Sequence, residues 1–146
     1  MKRTISLFLL FFVFAAVGCG NNNVGLKGKV VFADDKSPVP NGIIRFDSGT
    51  VISRGTIHSD GTFTMGSLKE TDGLPPGTYK VFFTDVHEQT GESKASSDGS
   101  PGEPIYTSLI HKKYLSAGTS GLSQTINAST QELNFELERN PDFPKK

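Results

Sequence analysis

Apolar and polar positions alternate with period two through most of the chain from Leu26 onward, and no segment of ten or more residues shows a helical period. In Leu26-Lys-Gly-Lys-Val-Val-Phe-Ala33, Leu26, Gly28, Val30 and Phe32 fall on one face and Lys27 and Lys29 on the other, which predicts a half-buried strand. Further strands are predicted at 43–46, 50–58, 62–65, 78–84, 122–128 and 132–138. Tyr79, Val81 and Phe83 share a face in one of them, and Leu133, Phe135 and Leu137 point inward in the last. Turn chemistry separates them. Asp34-Asp35-Lys-Ser-Pro-Val-Pro-Asn-Gly42 and Leu74-Pro-Pro-Gly77 are corners, and Ser59-Asp60-Gly61-Thr62 suits a tight hairpin turn that returns the chain antiparallel. About seven short strands with this spacing predict an all-β, Greek-key β-sandwich spanning 25–139.

One segment interrupts the pattern. Residues 86–104 form a long polar stretch in which nine of the 15 residues from Thr90 to Pro104 are Gly, Ser or Pro. It is read as a loop, either a disordered connector or a binding loop at one end of the sandwich. Residues 140–146, with two Pro and two Lys, are read as a flexible tail.

The N-terminus belongs to no sandwich. Lys2 and Arg3 precede an unbroken apolar run of 11 residues, Leu7 to Val17. The run fits the core of an export signal, and it is too short for a bilayer span of about 20 residues. Small residues then lead into the single cysteine of the chain, Ala15-Ala-Val-Gly-Cys19. This resembles a bacterial lipoprotein signal, with Ala16 where Leu is usual. The resemblance implies cleavage before Cys19, acylation of its thiol, and residues 19–24 as a lipidated tether that partners the domain with a membrane. No Asp follows Cys19, which by the same resemblance favours the outer membrane if the host has two.

Composition now describes two molecules. The full chain of 146 residues carries 15 Lys+Arg and 15 Asp+Glu; without residues 1–18 the count is 13 against 15, a net charge of −2. Neither balance, nor the short His111-Lys-Lys-Tyr114 segment, offers the basic footprint that nucleic-acid binding requires. One Cys excludes an intramolecular disulfide and any multi-Cys metal site. Sixteen Gly and eight Pro accord with a turn-rich β chain.

Four phrases, Leu26-Lys-Gly-Lys-Val-Val-Phe, Ser37-Pro-Val-Pro-Asn-Gly-Ile-Ile-Arg-Phe46, Ser59-Asp-Gly-Thr-Phe63 and Leu74-Pro-Pro-Gly-Thr-Tyr-Lys-Val81, resemble the carboxypeptidase regulatory-like domain, a transthyretin-like sandwich. The ending from Lys113-Tyr114 to Leu137 is similar to small bacterial surface lipoproteins that carry this domain alone. The resemblance implies an accessory module without a catalytic set, and fold-level likeness supplies no function by itself.

Candidate chemistry is sparse. The hydrolase of the same fold class, 5-hydroxyisourate hydrolase, ends in a Tyr-Arg-Gly-Ser segment, which is absent here. His58, His87 and His111 are too far apart in sequence for a zinc motif, and no Gly-x-Ser-x-Gly elbow occurs. Asp34-Asp35 lacks the D-x-D-x-D-G calcium pattern and reads as a solvated turn. Asn127-Ala-Ser129 matches a glycosylation pattern that carries no information in a bacterial lipoprotein. The expectation is no catalytic residue, no metal and no cofactor. Cys19 is the lipidation site, and His87, Tyr106, His111 and Tyr114, flanking the 86–104 segment, form the candidate binding surface for an envelope protein or glycan. Tyr106 and Tyr114 either contact such a ligand or pack over the open end of the sandwich, and the second is expected.

Overall fold

The computed structural model describes residues 22–66, 72–95, 99–130 and 132–144. The expected export signal, residues 1–18, and Cys19 lie outside them. Among the described residues nine strands form: β1 (Lys27–Phe32), β2 (Ile43–Asp47), β3 (Ile52–Thr56), β4 (Thr62–Thr64), β5 (Gly77–Thr84), β6 (His87–Glu92), β7 (Pro104–Ser108), β8 (Leu122–Ile126) and β9 (Glu132–Leu137). A 3₁₀ turn, η1 (Lys112–Leu115), precedes β8.

Seven strands build an all-β sandwich. One sheet has the order β4-β1-β9, with β1 antiparallel to β4 and parallel to β9. The other has the order β3-β2-β5-β8 and is antiparallel throughout. The alternation read from the sequence is the alternation of burial. Leu26, Val30, Phe32, Tyr79, Val81, Phe83, Phe135 and Leu137 are all buried, and Leu133 packs against them half-exposed. The two sheets meet through aromatic rings. Phe135 of β9 lies edge-on to Phe46 of β2 and Phe83 of β5, with centroids 6.2 and 6.0 Å apart, and tilted against Phe63 of β4 at 6.2 Å. Tyr79 joins this cluster at Phe46, and its hydroxyl donates to the Pro75 carbonyl at 2.6 Å, so the buried ring keeps its polar end satisfied.

The structure corrects three of the expectations. The Asp60-Gly61 turn forms as predicted, with Gly61 at φ +80°, the Gly61 NH on the His58 carbonyl and the His58 NH on the Thr62 carbonyl. A Cβ at Gly61 would lie 2.5 Å from the Val30 carbonyl oxygen, so glycine is required for packing as well as for φ. The strand after it, however, pairs with β1 in the opposite sheet. It does return antiparallel to β3, but through isolated bridges, Arg54 with Gly66 and, just past β3, Ile57 with Phe63, so the turn is also a corner between sheets. The segment 86–104 is not loop throughout: β6 occupies its first part and β7 begins at its end, and the two pair as a separate antiparallel hairpin. Backbone bonds hold this ribbon, along with a Thr90–Thr107 hydroxyl pair at 2.8 Å and the Ser93 NH on the Glu103 carbonyl. The ribbon therefore needs no apolar alternation. The tail is also anchored through its first residues. The Asn140 NH and side-chain amide donate to the carbonyls of Leu109 and Ser108, and Phe143 packs against the core.

The two ends of the sandwich differ. At one pole Val24 bridges Leu74, close to where β5 and β9 begin and β8 ends. The β6–β7 hairpin leaves the other pole, starting three residues after Thr84, which pairs with Ile43.

Candidate functional site

The hairpin base is where the sequence placed its candidate residues. The Leu109 NH donates to the Val86 carbonyl and closes the ribbon, and the Asn41 side-chain amide donates to the His87 carbonyl at 3.1 Å, fixing the ribbon to the Pro-rich corner. Gln89 and Gly91 flank a bulge in β6, whose extra residue re-aims the strand. Across the ribbon the His87 imidazole meets the Tyr106 ring edge-on, with centroids 4.8 Å apart and an interplanar angle of 67°. Tyr106 is 57% exposed and Ile105 beside it 48%.

Of the four candidates, the structure unites His87 and Tyr106 and separates the other two. His111 is used structurally: its Nδ1 accepts from the Lys113 NH at 3.2 Å, capping η1, and its own NH donates to the Glu138 carbonyl. Tyr114 is buried at 6% exposure and belongs to the core, because η1 lays its one apolar ring under the sheet beside β5. Tyr114 therefore leaves the candidate surface. Tyr106, expected to pack over the open end, instead stands out on the ribbon. His58 is exposed in the β3–β4 turn, so the three histidines occupy three separate elements. Among the described residues no group of three His, Cys, Asp or Glu is placed to hold a metal ion.

A second cluster was not anticipated. Arg139, just beyond β9, donates from Nε to Asp34 at 2.9 Å, and from one terminal nitrogen to Asp35 at 2.8 Å and the Ser37 hydroxyl at 2.7 Å. Its guanidinium lies 3.6 Å from the centroid of the Phe32 ring. The Asp34-Asp35 pair thus closes the β1–β2 corner onto the chain end. Its partner is more than a hundred positions away in sequence, and no local spacing signals it. A groove of about 270 Å³ runs beside it, lined by Phe32, Pro38, Pro40, Leu109 and Phe143 among others.

The Asp35 carboxyl is held down to about 2 from its ordinary 3.8, first by the Ser37 hydroxyl and NH that it accepts from, then by Arg139. A depressed carboxyl pKa contributes stability above the unfolded value, and this contribution is lost as pH falls through the folded one. Asp35 is therefore expected to weaken the fold only as pH drops from about 3.8 to about 2. In a carboxyl-carbon NMR titration, Ser37→Ala should move the Asp35 midpoint upward toward 3.8; an unmoved midpoint would discount the Ser37 bonds.

With this geometry in view, comparison with known proteins adds little. No protein-family model matches the chain, and no curated protein matches it in sequence. Among solved structures, a variant of BcpA, the major pilin subunit of Bacillus cereus, aligns with a TM-score of 0.47 and 13% sequence identity over 82% of this chain. The chain spans only 30% of that pilin.

Proposed function

We propose that this chain is an exported, lipid-anchored, non-catalytic β-sandwich module that serves a binding or structural role at the bacterial cell envelope. The observation that carries the reading is the sequence Leu7 to Cys19, an export-signal core running through small residues into the sole cysteine. The fold is consistent with it. Val24, five positions after Cys19, bridges Leu74, so an acylated Cys19 would hold the Val24–Leu74 pole within about 18 Å of the bilayer. The β6–β7 hairpin would then point away from the membrane, carrying His87 and Tyr106. Dispersed histidines and an Asp pair occupied by Arg139 support a module without catalysis.

The test is acylation. Wild-type protein expressed in a bacterial host should incorporate labelled palmitate and sediment with membranes, and Cys19→Ala should do neither. Membrane sorting of Cys19→Ala, together with no label on the wild type, would refute the anchor.

The exposed His87–Tyr106 pair favours a second, compatible reading, in which the 86–104 ribbon contacts a glycan or peptide. Deleting residues 89–106, which removes the outer ribbon and leaves the buried Val86 and its bond from the Leu109 NH in place, should then abolish ligand retention and leave the melting curve nearly unchanged.

A further inference from the structure

The outward face of the four-stranded sheet carries an arrangement that net charge conceals. Ile44, Phe46, Ser53, Val81 and Phe83 point into the core, so Arg45, Arg54 and Phe82 between them point out. The register places Arg45 directly opposite Arg54 on one side and opposite Phe82 on the other. The three form one row across β3, β2 and β5, about 10 Å from end to end at the usual strand spacing. Like charges directly opposite each other on neighbouring strands oppose folding, yet neither arginine has a carboxylate partner among the described residues, in contrast to Arg139. Arg45 is instead oriented by its Nε bond to the Thr84 hydroxyl at 3.0 Å. In the next row Lys80 adds a third cation. Asp47, opposite Lys80, is the one acid on this face among the described residues, and its Oδ1 accepts from the Gly49 NH at 2.7 Å.

We propose that the Arg54–Arg45–Phe82 row binds an acidic polysaccharide through its sugar carboxylates. A guanidinium matches a carboxylate with two parallel hydrogen bonds, and an anion lying between two such forks relieves their mutual repulsion. Phe82, half-exposed at the end of the row, offers a ring on which the C–H face of a sugar can lie. Three cations on a chain of net charge −2 without its signal are too sparse for the phosphate density of a nucleic acid, but suit a polymer with one carboxylate per sugar. The row lies along the side of the sandwich and not at the Val24 pole, which sets it apart from the bilayer contact. The site stands whether or not Cys19 is acylated, so the palmitate experiment and this one fail independently.

The test uses the full chain in neutral detergent, with polygalacturonate as the probe and dextran and single-stranded DNA as comparisons. The wild type should bind polygalacturonate and not dextran. Arg45→Gln with Arg54→Gln should weaken binding by about 10-fold or more, as loss of two charge-assisted contacts implies. Lys29→Gln, which removes a charge from the other sheet, should stay within about 2-fold. Arg54→Gln alone should melt no lower than the wild type, because it removes a repulsion and, among the described residues, no carboxylate partner. The proposal is overturned if polygalacturonate is not bound, if DNA binds in its place, or if Lys29→Gln weakens binding as much as the double variant.

Discussion

Phe135→Ala is expected to cost about 3–5 kcal/mol of folding stability, the range for emptying an aromatic site in a well-packed core. Phe135 is 4% exposed and touches rings from three other strands, Phe46, Phe63 and Phe83. Two of these are in the opposite sheet, so the truncation removes the contact on which the sheets close. Each edge-on pair contributes about 0.5–1.5 kcal/mol beyond its buried area. The loss therefore belongs in the upper part of the range unless the neighbouring rings collapse into the space. Urea unfolding followed by far-ultraviolet circular dichroism measures it, with the midpoint shifting and the slope holding. Phe135→Leu, which refills part of the volume, should recover much of the loss. A cost below about 1 kcal/mol for Phe135→Ala would mean that the sheets are joined elsewhere.

How far the sequence anticipates this molecule depends on which interaction formed each part. The seven sandwich strands were legible because each buries one face and so writes period two into its residues, as β9 does with Leu133, Phe135 and Leu137. The hairpin left no such trace. His87–Glu92 and Pro104–Ser108 are exposed on most positions, and their pairing rests on backbone groups that every residue has. The η1 turn was equally hidden, since His111-Lys-Lys-Tyr reads as a short basic stretch until His111 caps the turn and Tyr114 enters the core. The sheet to which β4 belongs was illegible for a different reason: Asp60-Gly61 specifies a reversal, not the strand that receives the chain afterwards. Of the two tyrosines expected to pack over the sandwich, Tyr114 is buried and Tyr106 stands exposed on the ribbon beside His87, because the strand pairing that carries Tyr106 outward leaves no local pattern. The clamp on Arg139 and the Arg45–Arg54 pairing are long-range juxtapositions, and a net charge near zero averages them away.

Gly28→Val is expected to prevent the sandwich from closing. Gly28 sits in the middle strand of the β4-β1-β9 sheet, opposite Phe63 on one side and Leu133 on the other. Its Cα–Hα faces inward, in the series Leu26, Gly28, Val30, Phe32. A Cβ built there meets the Leu133 carbonyl oxygen and lies 2.6 Å from the Phe63 ring at Cζ. The ring can turn, but the carbonyl belongs to the parallel β1–β9 ladder and moves only if that ladder opens. Overpacking a core costs about 1–3 kcal/mol when side chains can adjust; where the obstacle is backbone the cost exceeds that range. Valine adds two methyl groups to the same clash, so the variant should be found in the insoluble fraction. Even Gly28→Ala should melt well below the wild type. Gly91→Ala supplies the comparison, because a Cβ there meets nothing within 4 Å; it should change stability by no more than about 0.5 kcal/mol. Equal melting of Gly28→Ala and Gly91→Ala would show that β1 and β9 do not pair as closely as the parallel register requires. That register is what brings Phe135 beneath Phe46 and Phe83, so the two core predictions share one cause: β9 must pair with β1 before its aromatic ring can join the sheets.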